Sequence, residues 1–214
     1  MTSTVTTEGI RDEHVVVPYG TGTDARLSFD NGTERLSLCA DPDLTHLATG
    51  RFADPYPVVW ASGHDVHVEY PLGSRLLRRM RPSEMRLNPA ASWSLDVHGG
   101  AAHFDADLRG LVLRAMTLHS GAAFGDLRLG VPDGTCTIRL SSVKEMRIAG
   151  PAGVPVRLEI ARGSTNVSLD ARRTGAVGNG MADQTPGYDE SPDRYLVLVS
   201  GGVDGLTIEE SSDE

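Results

Sequence analysis

Lysine is almost missing from this chain: Lys144 stands alone against nineteen arginines, and 29 Asp and Glu leave a formal charge of −9 over 214 residues. A general nucleic-acid binder needs a basic stripe to displace phosphate counterions, so that class is excluded. Cysteine is also sparse. Cys39 and Cys136 are too few for a disulfide scaffold and read as free thiols. Aromatic residues are 5% of the chain, which leaves few rings for the stacking platforms of sugar-binding surfaces. No apolar run approaches the ~20 residues of a membrane-spanning helix. The opening MTSTVTTEGIRDE has neither the basic nor the apolar region of a secretory signal. A cytoplasmic chain with no integral membrane segment is therefore expected. Gly-x-Ser-x-Gly, a P-loop and a Gly-x-Gly-x-x-Gly opening a helix are all lacking, so the chain reads as a non-enzyme without a cofactor.

What the chain does have is an interval. The small pairs Gly99-Gly100, Ser120-Gly121 and Ser141-Ser142, and then Arg162-Gly163, end at residues 21 apart. Pairs at Asn31-Gly32, Ser62-Gly63 and Gly201-Gly202 fit the same unit at irregular distances. Five and three positions before the second residue of a pair stand Leu27/Phe29, Val58/Trp60, Leu95/Val97, Met116/Leu118, Leu158/Ile160 and Val197/Val199. Four and six positions after it stand Leu36/Leu38, Phe104/Ala106, Met146/Ile148, Val167/Leu169 and Leu206/Ile208. A period of two means strands with one buried face, because successive side chains point to opposite sides of a pleated backbone. Around Ser142 the apolar pair slips to Ile138 and Leu140, which reads as a β-bulge. The step between the arms is odd, so the small pair is read as a bend that resets parity. One unit cannot bury its stripe alone, and stacking neighbours closes a core. The fold class expected is all-β: a single β-solenoid of about seven strand-bend-strand repeats over 14–208.

Two interruptions and two ends break the interval. Residues 1–13 and the acidic tail 209–214 read as disordered. The stretch 174–193, rich in Gly, Asp and Pro, reads as a mobile loop. The insertion 71–91 holds RLLRRMRPSEMR, where Leu76, Leu77 and Met80 hint at a helical turn stopped by Pro82. Its Arg75, Arg78, Arg79, Arg81 and Arg86 form a basic patch in an acidic chain, a candidate docking site for a protein partner.

The remaining chemistry follows the repeat. His98 and His119 lie 21 apart and stack, with His103 nearby, but no cysteine or carboxylate at ligand spacing is seen to join them, so no metal is expected. His64 and His67 should point to opposite faces of a strand. Asp105, Asp107 and Asp126 form an outward ladder that would suit calcium; Arg128 and Arg147 in the same ladder favour an ion-paired face instead. Phe29, Trp60 and Phe104 are assigned inward.

The runs WSLDVHGGAAHFDADLRGL, MTLHSGAAFGDLRLGVPDGT and IRLSSVKEMRIAGPAGVPVRLEIARGSTNVSLD, with the later RYLVLVSGGVDGLTIEE, resemble the toastrack-type β-helix domain of LiaF-type cell-wall-stress proteins and the bacterial putative-adhesin family. The resemblance implies a non-enzymatic scaffold or interaction module linked to envelope-stress signalling, and it supplies no catalytic residues. A protein partner and self-association through open solenoid edges are expected. The alternative is a carbohydrate-binding or carbohydrate-active β-helix that uses the outward Asp ladder.

Overall fold

Apolar residues at every second position commit the backbone to strands. The computed structural model describes residues 2–31, 33–70 and 82–211, and among them there are strands but no helix. The first part of the chain supplies β1 (Thr2–Thr4), β2 (His14–Val17), β3 (Asp24–Phe29), β4 (Thr33–Ala40), β5 (Ala48–Phe52), β6 (Val58–Ser62), β7 (Asp65–Glu69) and β8 (Pro82–Leu87). The regular centre supplies β9 (Ser92–Val97), β10 (Ala101–Leu108), β11 (Val112–Leu118), β12 (Ala122–Leu129), β13 (Thr135–Leu140), β14 (Val143–Gly150), β15 (Val156–Ile160) and β16 (Ser164–Leu169). The last part adds β17 (Arg172–Thr174), β18 (Met181–Gln184), β19 (Arg194–Val199) and β20 (Val203–Glu210).

Two mixed sheets collect these strands, and neither closes on itself. Sheet I has the order β1-β2-β5-β8-β4-β10-β12-β14-β20-β16-β17, and sheet II the order β18-β15-β19-β13-β11-β9-β3-β7-β6. In six units the upstream strand joins sheet II and the downstream strand joins sheet I: β3/β4, β9/β10, β11/β12, β13/β14, β15/β16 and β19/β20. Neighbours among them pair in parallel. The register aligns Leu27, Leu95, Met116, Ile138, Val197 and Leu158 across sheet II. Across sheet I it aligns Leu36, Phe104, Gly125, Met146, Leu206 and Val167. Both ladders feed one hydrophobic cluster. Gly125, which brings no apolar side chain to this ladder, is covered by the Met146 side chain, whose Cγ lies 3.1 Å from where a Cβ would stand.

The stacking does not follow chain order throughout. β19 pairs with β13 on one side and β15 on the other, and β20 lies between β14 and β16. The last unit is thus inserted between the units around Ser142 and Gly163, so the third 21-residue step does not join neighbours. The slip at Ser142 is not a bulge, because Ile138 and Leu140 pair in register with Met116 and Leu118. The bend itself is shorter: two residues separate Leu140 from Val143, where three separate Leu118 from Ala122. Gly100 and Gly121 take φ of 70° and 87° in the longer bends, a region glycine enters without a Cβ clash; the two serines do not enter it. The parity reset lies past the bend. Val143, Ser164 and Val203 are buried directly after it, and burial resumes three residues on, at Met146, Val167 and Leu206. Between them the left-handed residues Glu145 (φ 50°), Asn166 (φ 55°) and Gly205 (φ 80°) occupy equivalent positions.

The ends and insertions also differ from expectation. Around Ser62-Gly63 the chain makes an antiparallel hairpin of β6 and β7, with Val59 inward and Trp60 on the outer surface. Pro82–Leu87, expected within an insertion, is β8, which turns Ser83, Met85 and Leu87 inward beside β4. Residues 1–13, expected to be unstructured, contain β1 and the buried Val5, and Ile10 bridges to Val59. The stretch 174–193 is no free loop: β17 adds antiparallel to β16, β18 antiparallel to β15, and Tyr188 is buried. Glu209 and Glu210 end β20 and do not begin a loose tail. Short strands therefore finish each sheet at both ends.

Candidate functional site

On sheet II the residues between the inward ones form outward ladders. One ladder runs Ser28, Asp96, Thr117, Arg139, Leu198 and Glu159 in register. At its strand ends sit His98, whose N–H donates to Phe29 O at 3.0 Å, and His119, whose N–H donates to Val97 O at 2.9 Å. These main-chain bonds stack the imidazoles at 4.3 Å between centroids and 7° between planes. Asp96 and His98, two residues apart, share one face of the strand. Asp96 is only 8% exposed. Its Oδ2 accepts from Arg26 Nε at 3.0 Å and also from Arg26 Nη2, and its Oδ1 lies 3.3 Å from His119 Nε2. Burial pushes this carboxyl up, but the hydrogen bonds from Arg26 and His119 and their charges outweigh it and hold it below the usual range.

A carboxylate therefore does join the stacked histidines, contrary to the sequence reading. Asp96, His98 and His119 place one ligand atom each within 4.8 Å of one another. The signal was present as Asp-x-His in one unit stacked on Thr-x-His in the next. His103 is elsewhere: it belongs to β10 on sheet I and stacks on Phe124 at 5.2 Å.

Beside His119, an open groove of about 760 Å³ crosses the outer face of sheet II. Thr117, Arg139, Leu198 and Glu159 of the ladder line it, and Met181 and Ala182 of β18 close its far side. The stretch read from sequence as a mobile loop thus supplies one wall.

The other predicted residues divide as follows. Asp105 and Asp126 are register partners on sheet I, as are Asp107 and Arg128. Asp107 is engaged by Arg109 at 2.7 Å and Arg128 at 3.7 Å, and hydrogen bonds from Arg109 hold its carboxyl low. Asp126 meets Arg128 at 3.1 Å, while its Oδ1 is buried without a hydrogen bond, 3.7 Å from Arg147. Arginines thus pair with Asp107 and Asp126, two of the three ladder carboxylates. His64 is buried in a turn, where its Nε2 accepts from the Gly20 N–H at 3.1 Å. His67 points outward and stacks on Trp60 at 3.8 Å. Arg86 pairs with Asp41 at 3.0 Å across β8; Arg75, Arg78, Arg79 and Arg81 lie outside the described residues.

The fold is thus that of an all-β protein built from two mixed sheets. No family model matches the sequence and no curated protein matches it, so the LiaF-type likeness rests on the residues alone. A solved structure does match: a putative cell adhesion protein from Clostridium sporogenes, 14% identical, covering 95% of this chain and 100% of that one with a TM-score of 0.61. At that identity the likeness shows the fold. No helix among the described residues is long and apolar enough to cross a membrane.

Proposed function

We propose that this chain is a non-enzymatic interaction module, a solenoid-like slab that presents the outer face of sheet II to a protein partner. The observation that carries this reading is the groove, an apolar floor around Leu198 and Met181 flanked by Arg139 and Glu159. Apolar surface rimmed by charge is the usual make-up of a protein contact. The description of the structurally similar protein as a cell adhesion protein supports the same class. The arginines at 75, 78, 79 and 81 belong to this reading as a second, salt-sensitive contact. Growth through the sheet ends is not part of it: β1 and β17 have three residues, β18 four and β6 five, and short edge strands are how native sheets avoid pairing. The link to envelope stress has only the residue resemblance behind it.

The test compares crosslinked partners of the wild-type chain with those of Leu198→Glu/Met181→Glu and of Phe124→Ala, a change on the other sheet. A partner kept by Phe124→Ala and lost by the groove variant is the expected result. Equal capture by all three chains, with unchanged melting, would overturn it.

One observation favours a second reading, a carbohydrate-binding face on sheet I. Phe124 is 41% exposed and lines a groove of about 500 Å³ with His103, Asp105 and Asp126. Glycan-array binding that disappears with Phe124→Ala, and with alanine at Asp105, Asp107 and Asp126, would separate it from the first.

A further inference from the structure

We propose that Asp96, His98 and His119 form a binding site for a divalent transition-metal ion of the zinc class. The site goes beyond the interaction-module reading and stands without it.

The donor set is the first reason. Two imidazoles and one carboxylate are ligands that zinc accepts, and three protein ligands leave a fourth position for water or an incoming group. Both histidines are exposed, so that position is open to solvent.

The spacing is the second. Ligands about 2.1 Å from a tetrahedral ion stand roughly 3.4 Å from each other. Asp96 Oδ1 and His119 Nε2 are 3.3 Å apart, so this pair already has the separation that an ion between them requires. The three ligand atoms lie within 4.8 Å of one another, so His98 has to approach by at most about 1.4 Å. Its ring is exposed and turns about its side-chain torsions, which also opens the parallel stack toward the angle an ion needs.

The support around the ligands is the third. Arg26 holds Asp96 Oδ2 through two N–H groups and leaves Oδ1 on the imidazole side. A ligand carboxylate oriented by a hydrogen-bonded neighbour is the common arrangement around bound metals. Arg26 is thus a positioning residue. The backbones beneath are equally fixed: Asp96 pairs with Thr117 and Val97 with Leu118, so the two histidines leave adjacent strands at one level. A lone imidazole stack would need neither a buried carboxylate nor its guanidinium clamp.

The test is titration of the full-length chain with zinc alone, followed by calorimetry and by the imidazole resonances of its seven histidines. One equivalent should bind and shift His98 and His119 while leaving His46 and His103 in place. His98→Gln/His119→Gln should weaken that binding at least tenfold, roughly the scale of losing metal-site partners. His46→Gln should not. Arg26→Gln should give a smaller loss, which a ligand-only site would not show. Wild-type affinity in the double variant, no stoichiometric binding by the wild-type chain, or shifts confined to the other histidines would each overturn the proposal. The histidine changes are on exposed side chains, and unchanged melting of the double variant without metal separates lost binding from lost folding.

Discussion

Alanine should cost stability at Gly201 and little at Gly163, because only at Gly201 would the added Cβ meet the bend of another unit. Neither residue has a left-handed φ, so backbone strain plays no part. At Gly201 an added Cβ would fall inside contact distance of the Ser141 carbonyl oxygen and 3.3 Å from Ser142 Cβ. That carbonyl cannot move away cheaply: Ser141 N–H donates to Leu118 O at 3.1 Å, and Ser200 N–H donates to Leu140 O at 3.0 Å, which pins both bends. Overpacking of this kind costs about 1–3 kcal/mol, and the stiffer unfolded chain offsets it by about 0.4–1 kcal/mol. A net loss of about 1.3 kcal/mol lowers the melting temperature by roughly 3–5 °C in a domain of this size. At Gly163 the nearest atoms to a Cβ are Val177 O at 3.3 Å and Gly178 O at 3.4 Å, both in the covering stretch, so a change within about 0.5 kcal/mol is expected. Thermal melts followed by circular dichroism measure both. If the units were stacked in chain order, Gly163 would lie against Ser142 and Gly201 would sit at the free end. A Gly163→Ala chain that melts lower than Gly201→Ala would therefore refute the inserted position of the last unit.

Two further outcomes follow from the core. Cys136 is 1% exposed, and burial pushes its thiol up to about 12. At pH 8 only about one molecule in ten thousand then carries the thiolate, so a disulfide reagent should leave Cys136 unmodified until denaturant is added; rapid labelling of the native chain would contradict its placement. The sign of the linkage is fixed by the same shift. The unfolded thiol ionises near 9.0 and the folded one does not until about 12, so this group lowers stability as pH rises above 9.0 and contributes nothing below it. Tyr195 is equally buried, and its hydroxyl donates to Gly130 O at 2.6 Å. Tyr195→Phe should cost about 1–3 kcal/mol in urea unfolding by stripping that carbonyl of its donor; a neutral result would mean that water reaches the site.

The inward residues of the six parallel units were legible because a single apolar period of two marks the arms, and eleven of the twelve arms bury the residues expected, the exception being β12 with Gly125. Chain order in the stack was not legible. The units around Gly163 and Gly202 have the same pattern, and nothing local says which of two equivalent strands pairs with β13. Trp60 was misassigned for a related reason: Val58, Val59 and Trp60 are all apolar, so alternation cannot choose a face, and the hairpin with β7 makes the choice. Strands β17 and β18 escaped detection because edge strands bury little and carry no apolar period.

The carboxylate of the histidine cluster escaped for a different reason, and it bears on how sites form in stacked sheets. Ligand spacing along one strand does not reveal Asp96 beside His119, whereas stacking brings together residues 21 apart in register. In such a fold a site needs only one well-placed residue per unit, repeated at the interval and supported by an outward neighbour two positions away. Asp96 meets that condition with His98 in its own unit and His119 in the next. Leu198 meets it at the groove, because the last unit is inserted beside β13. Had that unit stacked at the end of the array, Arg139 and Glu159 would have faced each other directly and closed the apolar floor with an ion pair. The inserted strand keeps the two charges one strand further apart and places a leucine between them. The break in chain order is thus what gives the outer face of sheet II its apolar groove.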